Sequence, residues 1–442
     1  MSKKYNEYTQ LDLPAVADEI LEFWEKNDIF QKSIDTREGQ EPFVFYEGPP
    51  SANGMPGIHH VMARTIKDVF CRYRTLKGYQ VKRKAGWDTH GLPVELGVEK
   101  ELGITKEDIG KTISIAEYND ACKKAVMKYT DVWNDLTRKI GYWVDMDDPY
   151  VTYENKYIES VWWLLKNLFD KGLLYKGYTI QPYSPKAGTG LSSHELSQPG
   201  TYRDVKDTTV VAQFRAESMD EKLGGKVYFV AWTTTPWTLP SNTALAVGEK
   251  IDYVAVKSFN QYTFAPTIVI MAKALVGKWF KPENAELSFD EYNAGDKKVP
   301  YEVVGEFKGA ELVGTKYEQL MPYAQPDGDG FQVIAGDFVS TVDGTGIVHI
   351  APTFGADDAR VAKIAGMGAM LVDDGADNQV PLVDLQGRFR PEVTDFAGEY
   401  VKAEYYSEEE VAAETKKQGR DNYLSVDERI AIKLKEENKA FR

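Results

Sequence analysis

The chain is poor in cysteine, histidine and net positive charge, and it has no long apolar run. Two cysteines in 442 residues, Cys71 and Cys122, exclude a disulfide scaffold and a cysteine-built zinc site. Acidic residues outnumber basic ones, 68 against 53, for a net charge of −15. That excludes a surface that tracks nucleic acid everywhere, because non-specific phosphate binding needs a positive field; a local basic groove stays open. The most apolar stretch, residues 267–276, is broken by Lys273, and the start MSKKYNEYTQ is polar. No membrane span and no secretory leader are expected. What is present is an ordinary globular composition, 43% apolar, long enough for two or three domains at ~150 residues each. The expectation is a reducing, cytoplasmic enzyme or a fragment of one.

Residues 11–30 read as one amphipathic helix with Asp12 as N-cap and Val16, Ile20, Phe23 and Trp24 on its apolar face. PFVFYEG (42–48) reads as a strand stopped by Gly48-Pro49-Pro50. A helix from His59 to Leu76 follows, with Met62, Ile66, Val69, Tyr73 and Leu76 as one buried stripe. A second strand, 79–86, completes a βαβ unit of a parallel sheet, so the first loop falls where such sheets bind ligands. Two further helical stripes are expected, Tyr118–Leu136 and Ile158–Leu168. Residues 181–200, rich in Pro, Gly and Ser, read as a linker or long hairpin. Short alternating runs between 201 and 385 indicate a separate β-rich domain, barrel or sandwich. The tail returns to helix, with capping boxes at Ser407/Glu410 and Ser425/Glu428 and Gly419 as a C-terminal stop.

Four segments carry chemistry. GPPSANGMPGIHH (48–60) joins a Gly/Pro-rich loop to a helix N-terminus, whose free N–H groups suit a phosphate; His59 and His60 can add hydrogen bonds or charge there. A tight loop with capping histidines explains the same residues. The segment matches neither a P-loop nor a dinucleotide fingerprint. GWDTHGLPVE (86–95) offers Asp88 to a cation and Trp87 to an apolar pocket, or else Asp88 is simply an N-cap. WTTTPWTLPSN (232–242) sets three threonines on a constrained backbone, which a plain Thr-rich strand would also do. GIVHIAPTFGADDAR (346–360) places His349 beside a turn with Asp357 and Asp358, the usual setting of a structural pair.

Taken together and in this order, YEGPPSANG, GWDTHGLPVE, WTTTPWTLPSN and GTGIVHIAP resemble the isoleucyl-tRNA synthetases, which are class I aminoacyl-tRNA synthetases. The resemblance runs from about residue 10 to the end. It implies an α/β fold: the first half of a Rossmann-like parallel sheet with an inserted β-barrel-like editing domain. The implied boundaries are an N-terminal extension (1–42), the first half of the catalytic domain (43–200), the editing domain (201–387) and a helical return segment (388–442). It implies activation of isoleucine by ATP with Mg²⁺, transfer to tRNA(Ile), and hydrolysis of mischarged Val-tRNA(Ile). Pro49 and Trp87 would line the isoleucine pocket and Asp88 would hold its α-ammonium. Gly57, His59 and His60 would lie at the ATP phosphates. Thr233, Thr234, Thr235, Asn242 and His349 would form the editing pocket, and Asp358 would anchor the ammonium of the mischarged residue. No metal ligands are implied, zinc included, and a monomer is expected. Editing is needed because the methylene separating isoleucine from valine is worth only ~1–3 kcal/mol in an apolar pocket, a limit for which this family is itself the standard illustration.

The chain departs from the family in two ways. His-x-Gly-His at the helix start is replaced by Gly57-Ile58-His59-His60, read as a swapped but active variant. No K-M-S-K-S loop is present, so the chain is expected to end before the catalytic fold is complete and to show weak or no ATP–pyrophosphate exchange alone. The sister valyl and leucyl enzymes usually carry Arg where this chain has Thr235, which favours isoleucine. A free-standing editing hydrolase and a non-catalytic nucleotide- or tRNA-binding module are the other readings.

Overall fold

In the computed structural model of the protein, residues 10–177, 179–376 and 378–442 are described; the first nine residues of the polar start lie outside them. The chain forms two compact units, one ending at Gly177 and one running on to Arg442.

The first unit begins as expected, with Asp12 Oδ1 accepting from Ala15 N at 3.2 Å to cap α1 (Leu13–Lys26). The expected single helix breaks where Asp28 turns left-handed (φ 50°), and α2 (Ile29–Asp35) resumes beyond it. β1 (Pro42–Tyr46), α3 (Ile58–Leu76) and β2 (Gln80–Trp87) then build the βαβ unit, with Phe43 opposite Val81 in parallel register. After α4 (Leu92–Leu102), α5 (Ile115–Val126) and α6 (Thr130–Lys139), β3 (Asp145–Val151) pairs parallel to β2, giving the order β1-β2-β3. α7 (Asn155–Asp170) closes the unit.

The parallel sheet is where the patterning placed it, but three stripes are not. Tyr118–Leu136 is two helices, α5 and α6, and their buried residues are Tyr118, Val126, Trp133 and Thr137. α3 turns Arg64, Cys71 and Thr75 inward and leaves Met62, Ile66, Val69, Tyr73 and Leu76 between 54% and 82% exposed. The reason is a guanidinium network on the inner side: buried Arg83 of β2 donates to Asp68 and Thr75 of α3 and to Trp143 O, each at 3.1 Å. A buried cation must be paired and hydrogen-bonded, and α3 supplies those partners with its polar face. α7 has no buried residue, with Trp162, Trp163 and Phe169 about two-thirds exposed.

In the second unit, the Pro/Gly/Ser stretch forms a small hairpin, Tyr183–Ser184 against Thr189–Gly190. The strands that follow are β4 (Val210–Arg215), β5 (Val227–Thr233), β6 (Ala244–Val247), β7 (Asp252–Phe259), β8 (Pro266–Ala272), β9 (Glu302–Lys308), β10 (Gln332–Ala335) and β11 (Ile347–Ile350). They divide into a five-stranded sheet, β9-β7-β8-β5-β4, and a three-stranded sheet, β10-β6-β11, rather than one closed ladder. β11 packs on β5, which brings the two sheets together. Strands such as Val227–Thr233 and Ala244–Val247 are buried on both faces, and they read as continuous apolar runs for that reason.

α8 (Ala356–Ala365), α9 (Glu408–Lys417) and α10 (Val426–Glu436) complete the unit. Both capping boxes form, Ser407 with Glu410 and Ser425 with Glu428, and Gly419 (φ 62°) sits just past the end of α9. Residues 388–442 are part of this unit's core through Phe389, Val393, Ile430 and Leu434. The last residues add to the sheet edge beside β4: Phe441 N donates to Val211 O and Val211 N to Arg442 O, each at 2.8 Å.

Candidate functional site

Each unit carries one cluster. In the first, the loop between β1 and α3 is fixed by three of its own carbonyls. Pro50 O accepts from Asp88 N at 3.0 Å, Ala52 O from Tyr129 N at 3.0 Å, and Gly54 O from Trp133 Nε1 at 2.9 Å. The donors come from the end of β2, the approach to α6 and α6 itself. A Gly/Pro-rich segment with few side-chain anchors is thereby held rigid by main-chain acceptors. Ala52, Trp87, Trp133 and Val151 pack as one apolar cluster beneath it.

At the helix end of the loop, His60 Nδ1 accepts from Gly57 N at 2.9 Å. The His59 ring lies 3.8 Å from that of His60, and His60 meets the edge of Trp133 at 4.7 Å. Burial lowers the His60 pKa, helped by the His59 and Arg64 charges, so its ring stays neutral at pH 7. Of the first-turn N–H groups of α3, that of His60 donates to Gly57 O at 3.0 Å, and those of Ile58 and His59 precede the helical ladder. Two imidazole side chains and the leading N–H groups of a helix on a rigid loop are a donor set that fits phosphate oxygens.

Gly57, His60, Trp87, Pro50 and Asp88 are thus tied to one loop. The Asp88 carboxylate is exposed, and Asp88 is no N-cap, because α4 is capped at Gly91. Pro49, the residue before Pro50 in the loop, is half-buried. Trp87 lies inside the apolar cluster, only 7% exposed, rather than lining open space. The alternative reading of His60 as a capping histidine is fulfilled as well; capping occupies only Nδ1.

In the second unit, β5 ends at Thr233, and a 3₁₀ turn, Pro236–Ser241, doubles back toward β11. Thr233 Oγ1 accepts from Thr235 N at 3.1 Å, and the Thr235 hydroxyl is 3.4 Å from that of Thr238. Thr238 Oγ1 is 2.9 Å from His349 Nε2, and Asn242 Nδ2 is 3.4 Å from His349 Nδ1. Burial pushes the His349 pKa down to about 4. Thr233, Thr235, Asn242 and His349 therefore form one hydrogen-bonded group, whereas Thr234 is exposed.

Asp357 and Asp358 lie in the first turn of α8 rather than in a free turn. Asp358 Oδ2 accepts from Ala351 N at 2.9 Å, which pins it to the residue following β11. Burial raises its pKa against the pull of that hydrogen bond.

Sequence reading missed Trp133 and Tyr129, which hold the first loop, and Thr238 and Tyr317, which complete the second group. Thr238 stands inside the quoted WTTTPWTLPSN segment and one turn from Thr235; that spacing was the available signal. Among the described residues no group of three or more His, Cys, Asp or Glu side chains could hold a metal ion.

Residues 19–427 match the family model of tRNA synthetases class I (I, L, M and V). A protein of Cytophaga hutchinsonii named isoleucine–tRNA ligase is 64% identical over 99% of this chain and 39% of its own length. Proteins of the same name from Bacteroides fragilis and Porphyromonas gingivalis are 61% and 56% identical over the whole of this chain and 39% and 40% of their own length. The chain therefore spans about two-fifths of the curated relatives it matches.

Proposed function

Because the chain belongs to the class I tRNA synthetases of the isoleucine, leucine, methionine and valine group, we propose that it is the activating and editing portion of an isoleucine–tRNA ligase. Three relatives at 56–64% identity carry that name, and Thr235 stands where the valyl and leucyl enzymes usually have Arg. The observation that carries the reading is the strapped loop, which ties the His59–His60 pair and Asp88 to the carboxyl end of a parallel sheet, the usual ligand position in such folds.

In this reading, isoleucine lies over Pro49 with its α-ammonium on Asp88. Its carboxylate attacks the α-phosphorus of ATP, the bond to the bridging oxygen breaks, and pyrophosphate leaves. The His59 and His60 side chains and the N–H groups of Ile58 and His59 hold the phosphates; Mg²⁺ arrives with the nucleotide and shields its charge. The activated carboxyl then passes to a hydroxyl of the terminal ribose of tRNA(Ile). Trp87 backs the pocket from beneath rather than touching the amino acid.

The second cluster would receive the esterified tRNA end when valine has been attached. Water adds to the ester carbonyl and the ribose oxygen leaves, with Asp358 setting the register through the ammonium. His349 is neutral and hydrogen-bonded at both nitrogens, so it serves as a polar contact and not as the general base. The threonines shape the pocket that admits valine.

Non-hydrolysable adenylate analogues test the activation half by calorimetry on this chain. The isoleucyl analogue is expected to bind more tightly than the valyl and leucyl ones, and Asp88→Asn to weaken it at least tenfold. Equal affinity for all three would overturn the assignment of isoleucine. Val-tRNA(Ile) hydrolysis exceeding that of Ile-tRNA(Ile) tests the editing half.

A further inference from the structure

We propose that Tyr317 is a positioning residue for His349: acting through the Asn242 amide, it keeps the imidazole proton on Nε2 and makes the ring a one-way donor into the threonine group. This rests on the editing role proposed for that group.

Each hydrogen bond in the chain has a forced direction. Tyr317 is fully buried and clamped, its N–H donating to Phe331 O at 2.9 Å. Its ring meets those of Phe214 and Phe331 edge-on at 5.4 and 6.2 Å. The phenol O–H donates to Asn242 Oδ1 at 2.8 Å. Asn242 Nδ2 then spends one hydrogen on Ala244 O at 2.9 Å and turns the other to His349 Nδ1 at 3.4 Å.

Turning the amide over is costly on two counts: Oδ1 would meet the Ala244 carbonyl, two acceptors face to face in a buried site, and the Tyr317 O–H would lose the oxygen it donates to. Since Nδ1 accepts, the ring proton resides on Nε2 and points at Thr238 Oγ1, 2.9 Å away. The Thr238 hydroxyl has its own hydrogen committed to Thr235 O at 2.9 Å. With the proton on Nδ1 instead, two N–H groups would oppose each other at Asn242. The result is a wire from Tyr317 in the core to the Thr233–Thr235 backbone.

The direct test is ¹⁵N-histidine NMR on the 442-residue chain at pH 7, with His349→Gln assigning the signal. The wild type is expected to show His349 with Nδ1 bare and Nε2 protonated. Tyr317→Phe leaves Asn242 Oδ1 without its donor. A second His349 population with protonated Nδ1 should then appear, and kcat for Val-tRNA(Ile) hydrolysis should fall about tenfold, the worth of one buried hydrogen bond, with KM unchanged. Asn242→Asp, which offers only acceptors, should move the proton to Nδ1 outright and gives a second route if Tyr317→Phe fails to fold. A wild-type spectrum with Nδ1 protonated overturns the proposal, as does a folded Tyr317→Phe whose His349 signals match the wild type. The tautomer is read without tRNA. The expected tautomer in a chain that hydrolyses nothing would therefore leave the relay standing and sink the editing reading alone.

Discussion

Position 57 is defined by an atom that is missing. A Cβ there would come within 2.8 Å of His59 Cε1, so the imidazole of His59 fills the space a side chain from residue 57 would occupy. The Gly-x-His-His arrangement is thus self-consistent, since the ring lost at one position is matched by a ring leaning back over it. The backbone at Gly57 is extended (φ −109°, ψ 171°), so alanine adds crowding there without backbone strain. Gly57→Ala is expected to push His59 off His60, weakening ATP binding five- to tenfold by calorimetry while shifting the melting temperature by less than about 2 °C. His349 gives a second test. Its pKa of about 4 in the folded chain, against about 6.5 when unfolded, means that the unfolded chain binds the extra proton between those values. The stability from keeping the ring neutral is complete above pH 6.5 and is lost as pH falls toward 4. Urea titrations should show a loss of about 2 kcal/mol between pH 7 and 5, and His349→Gln should remove that part of the slope. Asp358 and Asp427, both raised by burial, act in the opposite sense as pH falls, so the difference between wild type and His349→Gln isolates the histidine's share. The segments holding these residues were legible because each sits in a recognisable run. Tyr317 was not: its partner Asn242 is 75 residues away, and no local pattern reports a bond formed across a core.

Helix ends were easier to read than helix faces. Asp12, Ser407 and Ser425 each cap the helix assigned to them, because a cap depends on residues three apart in the chain. The face of α3 was misread because apolar periodicity identifies a stripe and not what lies opposite it. The buried partner here is Arg83, which selects Asp68 and Thr75. The same logic gives α10 a duty beyond packing. Asp427, 1% exposed in its first turn, accepts from Trp237 N at 2.8 Å and from Lys402 Nζ at 2.7 Å. Trp237 adjoins Thr238, so this carboxylate fastens the 3₁₀ turn of the threonine group to the C-terminal helix. Asp427→Ala leaves a buried N–H without an acceptor and Lys402 with Asp207 alone. It is expected to cost about 3 kcal/mol of the second unit's stability by urea denaturation and to slow Val-tRNA(Ile) hydrolysis. Asp427→Asn, which keeps one acceptor oxygen for Trp237, should lose about half as much.

The two units differ in how far they close upon themselves. The second gathers its core from residues 210–440, so that Ala212 and Phe214 of an early strand share one cluster with Ile430, Leu434 and Ala440 near the end of the chain. Its sheet edge is completed by the final residues, Phe441 and Arg442, paired with Val211. Such a body needs nothing from the first hundred and seventy-odd residues to bury its apolar surface. The first unit is different: its buried clusters are small, while Ile66, Val69 and Phe70 of α3 and Trp162, Trp163 and Phe169 of α7 stand 58–67% exposed. Apolar faces of that extent mark surfaces that associate with something. Residues 179–442 expressed alone are therefore expected to unfold in a single cooperative transition and to retain the hydrolytic activity of the whole chain within about twofold, whereas residues 1–177 alone bind a hydrophobic dye and self-associate at micromolar concentration. Ending the second piece at Leu424 removes α10 and the closing pair together, and should abolish its transition in calorimetry. A cooperative transition in that shortened piece would show that the sheet closes without its last strand-like residues, and the account of the second unit as a body locked by its own C-terminus would fail.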